Sequence, residues 1–205
     1  MLDLISIFKH ALSDLWEDVW TTAVVSFAWL ICMLLVLPAP FATFGLFYYT
    51  NRRAHDELAD HKDFWFGVRA YWPVALRWGL VNLFVLLVLV MDYRLTGLGG
   101  SSPAVRFAQG LYVTLTVFWI LLQFYALPFL FEQETPSLRS AWRNAAVMIG
   151  KHPLYTLAFG LLLAVLLLLG TVLFLVSVPT GGCLIGNAAN RAVLNRLQIS
   201  SQIGA

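Results

Sequence analysis

Residues 154–178, LYTLAFGLLLAVLLLLGTVLFLVSV, run for twenty-five positions without a charged side chain. The hydrocarbon core of a bilayer is about 30 Å thick, and a helix needs roughly 20 apolar residues to cross it. Three more stretches approach or exceed that length: 20–37, 74–93 and 105–131. Inside lipid every backbone amide and carbonyl must find its partner within the protein, which leaves helices as the spanning form for runs of this kind. The sequence therefore predicts an all-α integral membrane protein in one domain, 1–205, with four transmembrane helices and interfacial amphipathic helices in the connections. Charge agrees, since only 12% of the chain is Asp, Glu, Lys or Arg, about half the usual share in soluble domains.

The connections carry amphipathic pieces. In ETPSLRSAWRNAAVMIGKHP, Thr135 and Pro136 suit the start of a helix over 136–150. Leu138, Ala141, Trp142, Ala145, Met148 and Ile149 share one face, and Arg139, Ser140, Arg143 and Asn144 the other. In DHKDFWFGVRAYWP, Asp60 or Asp63 can cap a helix over 62–72 that gathers Phe64, Val68, Tyr71 and Trp72. Pro38 and Pro40 interrupt the first apolar stretch, and the apolar residues that follow are too few to cross again. They read as an interfacial helix over 40–58 leading towards the cytoplasm, or as a half-span that folds back and moves the N-terminus inside. An amphipathic helix over 1–19 leads in, and a last helix covers 180–197.

Basic residues orient the bundle. Arg52, Arg53, Lys62, Arg69, Arg139, Arg143 and Lys151 fall in the first and third connections, with Arg77 just inside the second span. Lys9, Arg94, Arg106, Arg191 and Arg196 are assigned to the other side. The positive-inside rule then places connections 51–72 and 132–152 in the cytoplasm of a multi-pass protein of a bacterial cell membrane.

Nucleotide-loop, zinc-protease and serine-hydrolase motifs are missing, so the chain reads as a non-enzyme without cofactor or bound metal. A net charge of +2 with dispersed basic residues gives no nucleic-acid footprint. The histidines and carboxylates of HDELADHKD, 55–63, match no established zinc spacing and suit helix caps. Polar groups within spans are costly and draw attention. Arg77 can snorkel to the interface, whereas Asn82 and Gln123 sit deeper, able to bridge helices 74–93 and 105–131 or to line a polar path. A short internal likeness also recurs. Pro38, Gly45 and Asn51-Arg52 correspond to Pro179, Gly186 and Asn190-Arg191, at offsets of 141 and 139 residues, and the expected topology puts the two copies on opposite membrane faces.

Over roughly its whole length, and most strongly over 14–85, the chain resembles the bacterial YesL-type membrane proteins. The residues that carry this are Trp29 in the first span, Leu37-Pro38 at its end, Thr43 and Gly45 beyond, and the aromatic stretch of Phe64, Phe66 and Tyr71. The resemblance implies a non-enzymatic protein associated with ABC-type carbohydrate uptake, with transporter subunits as partners. Asn144-Ala145-Ala146 and Gly150 resemble part of the permease loop that docks on the ATPase, which makes Arg139, Arg143, Asn144 and Gly150 the candidate docking surface. The alternative is a homo-oligomeric channel or small-solute transporter with Arg77, Asn82 and Gln123 near a polar path.

Overall fold

The computed structural model describes residues 18–100, 102–172 and 174–203, with side chains for all of these except 166–180 and 198–203. The expected helix 1–19 lies almost wholly outside the described residues. Among the described residues eight helices follow one another, without a strand: α1 (Val19–Leu34), α2 (Ala39–Ala54), α3 (His61–Ala70), α4 (Trp72–Gly97), α5 (Pro103–Phe131), α6 (Leu138–Lys151), α7 (Pro153–Val172) and α8 (Phe174–Ile203). Of these, α4 and α5 are long and apolar enough to cross a membrane. A third such piece is formed by α6 and the first part of α7 if that pair, bent by 105°, counts as one.

The first apolar stretch does not become a full-length span. α1 is capped by Asp18, which accepts the Thr21 amide at 3.1 Å, and ends after 16 residues, about 24 Å of helix. At Val36 the backbone takes φ 62°, a left-handed value that a β-branched residue normally avoids. Pro38 follows, and the chain reverses. α2 returns along α1, with the Trp29 indole donating to Thr43 Oγ1 at 3.3 Å and Thr22 beside Tyr49. The tip, Leu34 to Leu37, is exposed.

The helix within the expected stretch 20–37 is thus 16 residues long, and the stretch expected at 40–58 packs back along it. α2 is closely enclosed, with Phe44, Leu46, Tyr49 and Thr50 at 2% exposure or less. It packs against α1, α3, α4, α5 and α8. An interfacial helix would have kept one face for solvent; here no residue of α2 is more than half-exposed.

Glycine lets α3 lie against α2. A Cβ on Gly45 would fall 2.7 Å from the Phe64 carbonyl oxygen, and one on Gly67 only 3.0 Å from the Gly45 Cα. The start of α3 is a capping box in which Asp60 and Asp63 satisfy the first amides. The Asp60 carboxyl is held below its ordinary value chiefly by the His61 amide. The cap therefore contributes above the ordinary carboxylate range and is lost as pH falls through that lowered value.

α4 and α5 form an antiparallel hairpin whose turn passes through Gly100 at φ 97°, and Ser102 caps α5 by accepting the Val105 amide at 3.3 Å. α6 begins later than expected, at Leu138. Thr135 and Pro136 stay in the turn, because the Gln133 side chain takes the Ser137 amide at 3.0 Å and closes that turn first. α7 then runs back along α5, with Phe159 on Tyr125 and Gly160 against Leu121. Both ends of α6 therefore lie at the level where α5 finishes.

The apolar run 154–178 is likewise not one straight rod. The Arg196 guanidinium sits 3.8 Å over the Tyr155 ring, although an unbroken helix would hold those residues about 60 Å apart. α8 returns antiparallel to α7 and parallel to α2, placing Gly182 against Trp29 and Gly186 against Thr50.

A tight glycine contact and an open glycine position give opposite expectations. Gly45→Val should overpack the α2–α3 contact and lower stability by about 1–3 kcal/mol. Gly110→Ala, on an open helical position with nothing near its Cβ site, should raise stability by up to ~1 kcal/mol. Thermal denaturation in mild detergent reads both.

Candidate functional site

α4 and α5 each carry a tryptophan four residues before a carboxamide: Trp78 and Asn82 on one, Trp119 and Gln123 on the other. The helices run antiparallel, so the two units meet head to tail. Trp119 Nε1 donates to Asn82 Oδ1 at 2.9 Å, and Trp78 Nε1 donates to Gln123 Oε1 at 2.9 Å. Each amide nitrogen turns back to its own helix, Asn82 Nδ2 to the Trp78 carbonyl at 2.8 Å and Gln123 Nε2 to the Trp119 carbonyl at 3.4 Å. A third indole, Trp142 Nε1 from α6, also donates to Gln123 Oε1, at 3.1 Å. Three helices are thus fastened by two carboxamide oxygens.

Asn82 and Gln123 do bridge the helices expected of them, but through indoles and not to each other. Sequence reasoning missed Trp78, Trp119 and Trp142 as their partners. The available signal was the repeated Trp-x-x-x-amide unit, which puts both groups on one helix face. Arg77 belongs elsewhere: it is exposed on α4 and takes no part in the clasp.

A second polar cluster closes the end of the bundle where α2, α5 and α8 come together. Asn190 is fully buried. Its Nδ2 donates to Thr50 Oγ1 and to the Gly186 carbonyl, each at 3.0 Å. Its Oδ1 accepts from Asn51 Nδ2 at 3.5 Å, and that same nitrogen donates to Glu132 Oε1 at 2.7 Å. His55 Nε2 lies 3.5 Å from Glu132 Oε2, and Arg191 reaches Asp56 at 3.2 Å. The two Asn-Arg copies therefore touch, at the offset of 139. They lie at one end of the molecule and not on opposite faces, and Arg191 moves to the side of the first connection. What decides this is the hydrogen-bonding demand of a buried asparagine, which a hydropathy pattern does not register.

The acidic segment 55–63 is used locally. Arg52 pairs with Glu57 at 2.8 Å and also with Asp63, while His61 holds Asp60. No group of three or more metal-capable side chains occurs among the described residues. Cys32 and Cys183 are free thiols. On α6, Ala141, Ala145 and Met148 are buried and Arg139, Arg143 and Gly150 exposed, with Asn144 between. These four candidate docking residues share one short helix without converging on a pocket.

The clasp predicts an order of damage. Gln123→Leu strands two indoles and Asn82→Leu one, so the first should cost more, with each orphaned donor contributing about 1–3 kcal/mol. A double-mutant cycle of Asn82→Leu with Trp119→Phe should give a coupling near 0.6–1.7 kcal/mol. Chemical denaturation in mixed micelles measures both quantities.

Comparison of the chain with protein-family models, with curated proteins and with solved structures gives no match.

Proposed function

We propose that this chain is a multi-pass protein of the bacterial cell membrane, of YesL type, that works without catalysis as an accessory to ABC-type carbohydrate uptake. The observation that carries the reading is the gathering of basic residues at one end. Arg52 and Arg53 end α2, Lys62 and Arg69 lie on α3, Arg139, Arg143 and Lys151 lie on α6, and Arg191 and Arg196 arrive on α8. The far end, around the α4–α5 turn, carries Arg94 and Arg106. A charge asymmetry of this sense favours the rich end as cytoplasmic.

In this arrangement α4, α5 and the α7–α8 hairpin make four crossings. The α1–α2 hairpin enters from the cytoplasmic side and turns near mid-depth, its apolar tip in lipid. α3 and α6 lie at the interface, and exposed Trp20, Trp65 and Trp72 sit at headgroup level. α6 is the docking element: its buried face is fixed on the bundle while Arg139 and Arg143 project from a rigid ridge. The carboxamide oxygens of Asn82 and Gln123 are already taken by indoles, which favours a fastening role for them over a solute path.

Two measurements test this. In a variant with Cys32 and Cys183 replaced by alanine, a cysteine at Glu57 or Lys151 should react with an impermeant thiol reagent only from the cytoplasmic side. One at Gly99 should react only from outside, and one at Leu37 from neither. Affinity purification in mild detergent should recover ABC-type sugar-transporter subunits with the parent chain, and R139Q/R143Q should lose them while keeping its fold. Repeated recovery of the parent chain alone would remove the accessory role.

A further inference from the structure

We infer that the groove between the α1–α2 hairpin and α3 seats one anionic phospholipid, its phosphate on Lys62 and Arg69 and one acyl chain running towards the hairpin tip. This rests on the membrane reading above and adds a ligand that the reading does not require.

Two neighbouring concavities meet along α3. One, of about 440 Å³, is almost entirely apolar and is lined by Cys32, Pro38, Phe41, Val68, Trp72 and their neighbours, with Arg69 as its charged member. The other, about 510 Å³, is lined by His61, Lys62, Trp65, Phe66 and Arg69. Trp65 and Arg69 belong to both. A ligand spanning them must be apolar along one part and anionic at the other, which is the chemistry of an acidic phospholipid.

The helix pattern produces this by itself. Lys62, Trp65 and Arg69 recur at spacings of three and four along the outer face of α3, Trp72 follows as the first residue of α4, and Phe64 and Gly67 are buried against α2. The local carboxylates offset this charge only in part, Asp60 feeling Lys62 at a distance without pairing with it. Asp63 is held by Arg52 and Asp60 by His61, and among the described residues no carboxylate pairs with Lys62 or Arg69. The position also suits the ligand. Pro40 packs on Gly79, seven residues into α4 from Trp72, so the apolar part descends about 10 Å below the level of Trp72.

The test uses the full chain in nanodiscs of equal phosphatidylglycerol and phosphatidylcholine, released into the gas phase and read by native mass spectrometry. Retained lipid should be predominantly phosphatidylglycerol. K62Q/R69Q should lower that preference by roughly thirtyfold, given the usual contribution of each basic side chain at an anionic surface. R139Q/R143Q, an equally exposed pair on α6, should leave it unchanged. Cys32→Phe, which fills the apolar part and leaves both charges, should also lower retention, whereas excess glycerol phosphate should not displace the lipid. Unchanged preference in K62Q/R69Q, an equal loss in R139Q/R143Q, or displacement by glycerol phosphate would each overturn the site. Thermal melts of each variant confirm that the fold is kept. Failure of the parent chain to float with vesicles would overturn the membrane reading and the site together; floating without lipid preference would overturn the site alone.

Discussion

In an environment poor in water, an indole N–H left without an acceptor costs more than the helix contact around it returns. Trp78, Trp119 and Trp142 all solve that problem on the same two carboxamides. The solution is geometrically exacting. It fixes the register of α4 against α5, because each indole must reach the amide one turn along the opposing helix. It also fixes where α6 crosses the end of α5, because Trp142 has to reach Gln123 from outside the hairpin. Around that frame the large rings pack edge to face, with Phe44 against Trp78 at 5.8 Å and Tyr71 against Phe131 at 5.1 Å. α2, wedged between the frame and α8, inherits its position from both.

The helical class, the α4–α5 hairpin and the Asp60 cap could be read from the sequence, because each depends on local pattern: run length, turn residues, capping chemistry. The reversal within 154–178 could not, and the one after α1 stood only as one of two alternatives. A run such as 20–37 shows how much apolar surface a helix carries, and says nothing of whether its neighbour is lipid or the returning chain. Thr22 and Ser26 are the hint inside it, since both are buried at 1% exposure and face α8 through Cys183. Similarly, the cost of polar groups in a span singled out Asn82 and Gln123, but their partners were hidden in aromatic residues usually counted as core or belt. Arg77 drew attention for the same reason and proves to be an exposed side chain of α4.

The internal likeness between 38–52 and 179–191 gains a physical meaning from the contact of its two asparagines. Equivalent positions that touch each other lie near an axis relating the two segments, and since α2 and α8 run parallel that axis follows the helices. A parallel relationship of this kind keeps both copies at one end of the molecule, where an inverted one would separate them. The Asn51–Asn190 contact is then the place where two similar helix endings satisfy each other, with Glu132 joining α5 to the pair.

The dependence of the first hairpin on α8 also has a consequence for synthesis. Thr22, Ser26 and Thr50 are covered by residues between Cys183 and Asn190, more than 130 positions later in the chain. As the chain emerges, α1 and α2 are made first and must wait, polar flank uncovered, until nearly the last helix has been delivered. The Trp29–Thr43 bond and the short reversal at Val36 are contacts the hairpin can make within itself, before α8 exists. The final closure of the molecule is then a late event, in which α8 slides in beside a partner formed at the beginning.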